Sequence, residues 1–192
     1  MILKKITLLI SICLFIYPAF SDIPSNKVTL ANSSTIQVGL VNDGFEVTVT
    51  IGSIGYVGIN FSTTMTNSDI IMVIWNGNEN FEVRDTYSKG HSLPALDVDQ
   101  GGNDDIRDKR LIIKDGKAII SFSRKFNTND KYDIALTENT KLNIALAFKD
   151  GPVGWHSRSG YIYKSLSFNR ALNLILFYDL NSAIPFSTEI AN

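Results

Sequence analysis

The sequence predicts an all-β protein, a single immunoglobulin-like antiparallel β-sandwich of about ten strands. Three observations carry this. Short segments alternate apolar and polar residues with period two. Gly, Asn and Asp punctuate them as turns. No stretch repeats its apolar residues with the 3.6-residue period of an amphipathic helix.

Thr35–Val41 and Phe45–Ile51 form the first pair, joined by the turn residues Asn42-Asp43-Gly44; Phe45–Ile51 alternates without a fault and reads as half-buried. Tyr56–Phe61 follows Gly52 and Gly55. Ile70–Trp75 (IIMVIW) is apolar throughout, as a strand covered on both faces is, so Met72 reads as core. Glu82–Tyr87 comes after an Asn76-Gly77-Asn78 turn. Arg110–Lys114 and Lys117–Phe122 flank Asp115-Gly116, a two-residue hairpin signal. Leu142–Phe148 alternates again, and Ser165–Phe168 and Leu172–Tyr178 close the set.

Residues 1–21 stand apart. Lys4 and Lys5 precede an apolar run, Ile6–Tyr17, and Ala19-Phe20-Ser21 places small residues where a signal peptidase reads. The expectation is a secretory signal peptide with cleavage before Asp22, because the apolar run is shorter than the roughly 20 residues a spanning helix needs. Residues 22–192 then form one domain, exported to an extracellular or periplasmic space, with no transmembrane segment in the mature chain. Cys13, the sole cysteine, lies in the removed segment. That excludes disulfides, thiolate metal sites and covalent haem attachment from the mature protein. Eighteen basic residues face 19 acidic ones with no basic run, so nothing favours nucleic acid. Asn32-Ser33-Ser34 and Asn60-Phe61-Ser62 are glycosylation acceptor sequences, Asn32 being the better placed if Asn60 lies in a strand.

Chemistry-bearing residues are few. No nucleophile elbow, acid–base pair or His cluster is visible, so independent catalysis is not expected. The stretch Asp97–Asp108 holds Asp97, Asp99, Asp104, Asp105 and Asp108. It reads as a solvated loop or, since hard cations take several oxygens, as a calcium loop without EF-hand spacing. Met65 lies in a polar segment just after a strand, where it either covers a core edge or serves as a ligand. His156 lies in a Gly-bounded loop beside Trp155 and Arg158, as a surface residue or a ligand. His91, the other histidine, reads as solvent-exposed.

The run Tyr56-Val57-Gly58-Ile59-Asn60-Phe61-Ser62, then Met65, then Ser68-Asp69-Ile70-Ile71-Met72-Val73, resembles the signature of the DOMON family. Val83-Arg84-Asp85-Thr86-Tyr87 with Pro94 and Asp97 is similar to a second family segment. Ile120–Arg124 with Asp130 and Asp133 is similar to a third, and Ile144–Phe148 with His156 and Gly160 to the last. The resemblance spans about residues 45–160. The family includes the N-terminal domain of dopamine β-monooxygenase and the cytochrome domain of cellobiose dehydrogenase. It implies a β-sandwich and, in many members, a non-covalent haem b between one Met and one His, which correspond here to Met65 and His156. The implied function is electron transfer with a separate redox partner protein. The alternative is a haem-free module that binds a sugar or another small organic ligand. Trp75, Trp155, Tyr87, Ile59 and Phe61 are candidate walls of the slot, and Arg158, with Ser157, Ser159 and Lys164, candidate propionate partners. Asn60 stands where many members have Gly, a side chain expected to narrow a haem slot.

Overall fold

Alternation sends every second side chain of a strand to the same face, and twelve strands among the described residues use it to enclose one core. The structure is a computed structural model and describes residues 25–156 and 160–179. The expected signal peptide, residues 1–21, and Ser157, Arg158 and Ser159 lie outside the described residues.

One sheet has the order β1 (Lys27–Thr29), β2 (Thr35–Val41), β3 (Gly44–Ile51), β9 (Lys117–Lys125), β8 (Arg107–Lys114). The other has the order β12 (Leu174–Asp179), β11 (Tyr161–Asn169), β10 (Lys141–Asp150), β4 (Gly55–Asn60), β5 (Ser68–Gly77), β6 (Asn80–Ser88), β7 (Ala95–Leu96). Every pairing is antiparallel. The Asp115-Gly116 turn joins β8 to β9 with φ of 52° and 72°, the doubly positive backbone a two-residue hairpin needs. Two strands exceed the sequence expectation. β1 and β7 have three and two residues, too few for a period to register.

Between the sheets, Val47, Val49 and Ile51 of β3 and Ile120 and Phe122 of β9 meet Val57 and Ile59 of β4, Ile71 and Val73 of β5, and Ile144 and Leu146 of β10. Phe45, Phe61, Phe126 and Phe168 gather within this core, with Phe45 5.7–6.1 Å from each of the other three ring centres. β5 is buried on both faces, as its unbroken apolar run requires, but its two faces meet different neighbours. Ile71, Val73 and Trp75 enter the main core. Ile70, Met72 and Ile74 point outward and join Tyr56 in a second apolar cluster on the far side of the sheet. Met72 is therefore buried, but outside the sandwich core in which the sequence placed it.

Candidate functional site

The outward face of the seven-stranded sheet is where the two candidate ligands lie. Register fixes its surface. One row across four strands reads Tyr161, Ala147, Gly58, Met72, and the next reads Tyr163, Ala145, Asn60, Ile70. Small side chains on β10 and β4 thus lie between tyrosines on β11 and larger apolar residues on β5. Strands stand about 4.8 Å apart, so the walls of this trough are about 14 Å from each other. A Cβ built on Gly58 would meet only the Ala147 methyl, at 3.7 Å, so the floor of the trough is shallow there.

Two loops close over the trough's β5 side. The β4–β5 loop brings Met65, half-buried, against the Tyr56–Ile70–Met72–Ile74 cluster, and the β10–β11 loop brings Val153 against the same cluster. His156 is three residues further along that second loop, also half-buried, with its ring edge-on to Tyr161 at 5.4 Å. The Tyr56 hydroxyl donates to the Gly154 carbonyl (2.7 Å), and Lys149 Nζ donates to the Pro152 carbonyl (3.1 Å). At the loop's base the Phe148 amide donates to the Gly160 carbonyl (2.7 Å). Burial raises the Tyr56 phenol above its ordinary pKa, which keeps it a donor.

Asn60 organises the Met65 loop. Its Nδ2 donates to the Thr64 carbonyl (2.8 Å), and its Oδ1 accepts from the Ser62 amide (3.0 Å) and from the Ser68 hydroxyl. The side chain is buried and committed to the loop, so it shapes the trough's rim where the sequence comparison expected only obstruction. Its burial also shields this carboxamide from glycosylation.

Other expected residues fall elsewhere. Trp75, Ile59 and Phe61 face the sandwich core, on the opposite side of the sheet from Met65. Tyr87 shares that inner phase with Val83 and Asp85 and packs on Tyr132, 5.0 Å between ring centres. These four do not line the outer trough. Trp155 sits in the His156 loop with 72% of its surface exposed. Lys164 is ion-paired with Asp179. His91 is exposed in the segment between β6 and β7. A shallow cleft lined by Phe81, Arg84, Asp85, Leu96, Val98 and Lys109 also lies away from the trough.

A second polar assembly, missed as a unit in the sequence, lies inside the sandwich. Arg124, 1% exposed, donates from Nη1 and Nη2 to the two oxygens of Asp69 (2.9 and 2.5 Å). Its guanidinium also lies 3.5 Å from Asp133, 3.8 Å from Asp85 and 5.0 Å from the Phe61 ring centre. The Asp69 Oδ2 accepts the Ile134 amide as well (2.9 Å). Burial opposes the charge on Arg124, but the surrounding carboxylates outweigh it and raise its pKa. Burial pushes Asp85 up to about 7 and Asp133 up to about 6, in each case against the pull of Arg124. Asp97, 1% exposed, is pushed up to about 8 by burial and then by the charge of Asp85. The acidic loop is therefore divided: Asp99, Asp104 and Asp108 are exposed, while Asp97 is buried. The signal lay in the phase. Arg124 falls in step with Ile120 and Phe122, Asp85 with Val83, and Asp69 with Ile71 and Val73. A charge at a core-phase position marks a buried ion network.

Two antiparallel sheets, an ion network buried between them and a loop-rimmed trough on the outside define a β-sandwich module. The chain belongs to the DOMON domain family, whose sequence model matches residues 31–149. No curated protein matches it. Among solved structures it is similar to the cytochrome domain of Myriococcum thermophilum cellobiose dehydrogenase, with 15% identity, a TM-score of 0.54 and coverage of 71% of this chain and 75% of that one. It is also similar to the cytochrome b domain of pyranose dehydrogenase from Coprinopsis cinerea, with 15% identity, a TM-score of 0.44 and coverage of 69% and 71%. No helix among the described residues is long and apolar enough to cross a membrane.

Proposed function

We propose that this chain is an exported haem b electron-transfer module in which Met65 and His156 supply the axial ligands. The observation that supports this best is convergence. Two loops far apart in sequence, one bearing Met65 and one bearing His156, close over the same outer-face cluster beside a trough of small residues. The residues fit the group chemically. A thioether and an imidazole are both haem-iron ligands, and a flat apolar macrocycle suits a floor of Gly58, Ala145 and Ala147 with Met72 and Ile70 along one side.

When bound, haem supplies a one-electron couple, and thioether ligation favours its reduced state. The chain's own residues do the positioning. Asn60 fixes the backbone that carries Met65. Tyr56 and Lys149 tether the loop that carries His156, and Tyr161 bears on the imidazole edge. With Met65 and His156 both engaged in holding haem, the module would pass electrons between a donor and an acceptor protein. Export follows from the signal-peptide reading of residues 1–21. In such a compartment Asn32, half-buried beside Asp150, is the glycosylation acceptor.

The exposed aromatics favour one second reading. Trp155 and Tyr163 present 72% and 40% of their surfaces beside the trough, a platform on which a sugar ring could stack in a haem-free module. Single Met65→Ala and His156→Ala variants separate the two readings. In a haem protein each alters the low-spin visible spectrum, His156→Ala more severely. A spectrum unchanged in His156→Ala removes that residue as a ligand. Glycan-dependent stabilisation with no haemin uptake supports the second reading.

A further inference from the structure

The tip of the β8–β9 hairpin carries apolar side chains that the fold leaves open. Leu111 packs on the main core. Ile113, two residues on in the same phase, is 44% exposed, and Ile112, on the opposite face, is 62% exposed. Successive residues of a strand point to opposite sides, so both faces of the ribbon are open here and the tip overhangs the sandwich. Ile119 pairs with Ile112 and is half-buried, which widens the outer patch. β3 ends at Ile51, opposite Ala118 of the same hairpin, so Ile54, 49% exposed on the following loop, opens at this end too.

The same hairpin is basic. Residues 107–117 hold Arg107, Lys109, Arg110, Lys114 and Lys117 against Asp108 and Asp115, in a chain whose formal net charge is −1. Lys109 and Arg110 are paired with Asp104 and Glu46. Lys114 and Lys117 are not paired: they stand opposite each other across the Asp115-Gly116 turn and take part in no ion pair among the described residues. Like charges directly opposite on a strand pair repel. The two lysines therefore gain from any anionic surface laid against the tip.

We propose that this tip, residues 112–117 with Ile54 beside it, docks the protein on an anionic lipid surface. A projection that is apolar on both faces is enclosed by the headgroup boundary of a bilayer. A strand added along the β8 edge would leave both of those faces bare. A second copy fits worse still, because pairing β8 edge to edge about Ile112 would set Lys114 against Arg110 twice. The lysines complete the lipid fit: their methylene stems can lie along the apolar boundary while their ammonium groups meet phosphates. Two or three isoleucines make the attachment shallow and reversible, and the charge term makes it sensitive to salt. The tip belongs to the five-stranded sheet and the trough to the seven-stranded one, so this docking point stands or falls independently of haem.

The test is co-sedimentation of the purified, exported protein with vesicles of phosphatidylcholine alone and of phosphatidylcholine mixed equally with phosphatidylglycerol. The expected result is binding to the mixed vesicles only, falling steeply as salt is raised. Joint Ile112→Ser and Ile113→Ser substitution, and joint Lys114→Glu and Lys117→Glu substitution, should each weaken binding at least tenfold with Tm unchanged, because these side chains are exposed. Leu172→Ser, which alters an equally exposed residue in the β11–β12 turn, should bind as the parent does. No binding to the mixed vesicles at low salt would overturn the proposal, as would equal binding to the neutral ones or full binding by the serine variant. A dimer in sedimentation velocity that the serine variant abolishes would assign the tip to a second copy and overturn it too. So would tight binding of polyglutamate that the isoleucines do not affect, which would assign the lysines to an acidic protein.

Discussion

Arg124 is the residue on which the most structure depends. It is fully enclosed, bonded to Asp69 and flanked by Asp85 and Asp133. Removing it strands buried carboxylates, and breaking a buried pair on one side costs about 3–5 kcal/mol. Arg124→Met should therefore lose about that much stability in urea denaturation; a loss under about 1 kcal/mol would mean the network contributes little. Asn60 acts at the same scale on the other face. Asn60→Ala strips the Ser62 amide, the Thr64 carbonyl and the Ser68 hydroxyl of their partner, a cost of about 1–3 kcal/mol. It should also speed haem loss from the reconstituted protein, measured by transfer to an excess of a competing haem acceptor. Haem retention equal to the parent's would separate Asn60 from the Met65 loop's function.

At the scale of elements, β5 shows why some of the site was legible and some was not. Its apolar run announces burial on both faces but hides the phase, since Ile, Met, Val and Trp look alike to a period count. Trp75 was accordingly assigned to the slot, whereas pairing with Gly55 puts it in step with Ile71 and Val73 and inside the core. Tyr87, on β6, also faces inward, through its pairing with Asp69. Met65 and His156 stood out as candidates because they are scarce residues in polar loops. The trough between them was not, because it arises from register between strands distant in sequence: Tyr161, Ala147, Gly58 and Met72 share a row that no local window contains. That row yields a prediction. Ala147→Leu adds bulk to an outward, partly open position, so stability should change by only about 0.5 kcal/mol. Haemin uptake should nevertheless fall sharply in a titration followed at the Soret band. Undiminished uptake would move the site off the trough. Met72→Ala, in contrast, removes a buried side chain and should cost about 2–5 kcal/mol in denaturant.

For the whole molecule the buried acids set the response to pH. Asp85, Asp97 and Asp133 are raised in the folded protein to about 7, 8 and 6, with Asp69, Asp105 and Asp130 near them as further acids and Arg124 as the cation. A carboxyl whose pKa is higher folded than unfolded binds its proton more tightly in the folded state. Its stabilising contribution is complete below the unfolded value near 4 and is lost as pH rises through the folded value. Tm should therefore fall between about pH 5 and pH 8. Asp97→Asn should reduce that fall. A Tm that rises over this interval would contradict the charge accounting for the cluster. The sandwich itself was largely readable: ten strands follow from alternation and turn residues, and only the very short β1 and β7 carry no pattern of their own. The Arg–Asp network was present in the sequence as charges in core phase, yet its members lie up to 64 residues apart and only the fold assembles them.

The central claim is that the two loops over the outer face hold a haem iron between Met65 and His156. It is tested most directly by oxidised and dithionite-reduced absorption spectra of the protein produced with haem available. The account predicts a Soret band that sharpens and shifts on reduction, with resolved low-spin α and β bands. A visible spectrum that stays featureless after haemin titration would contradict it and leave the trough to a small organic ligand.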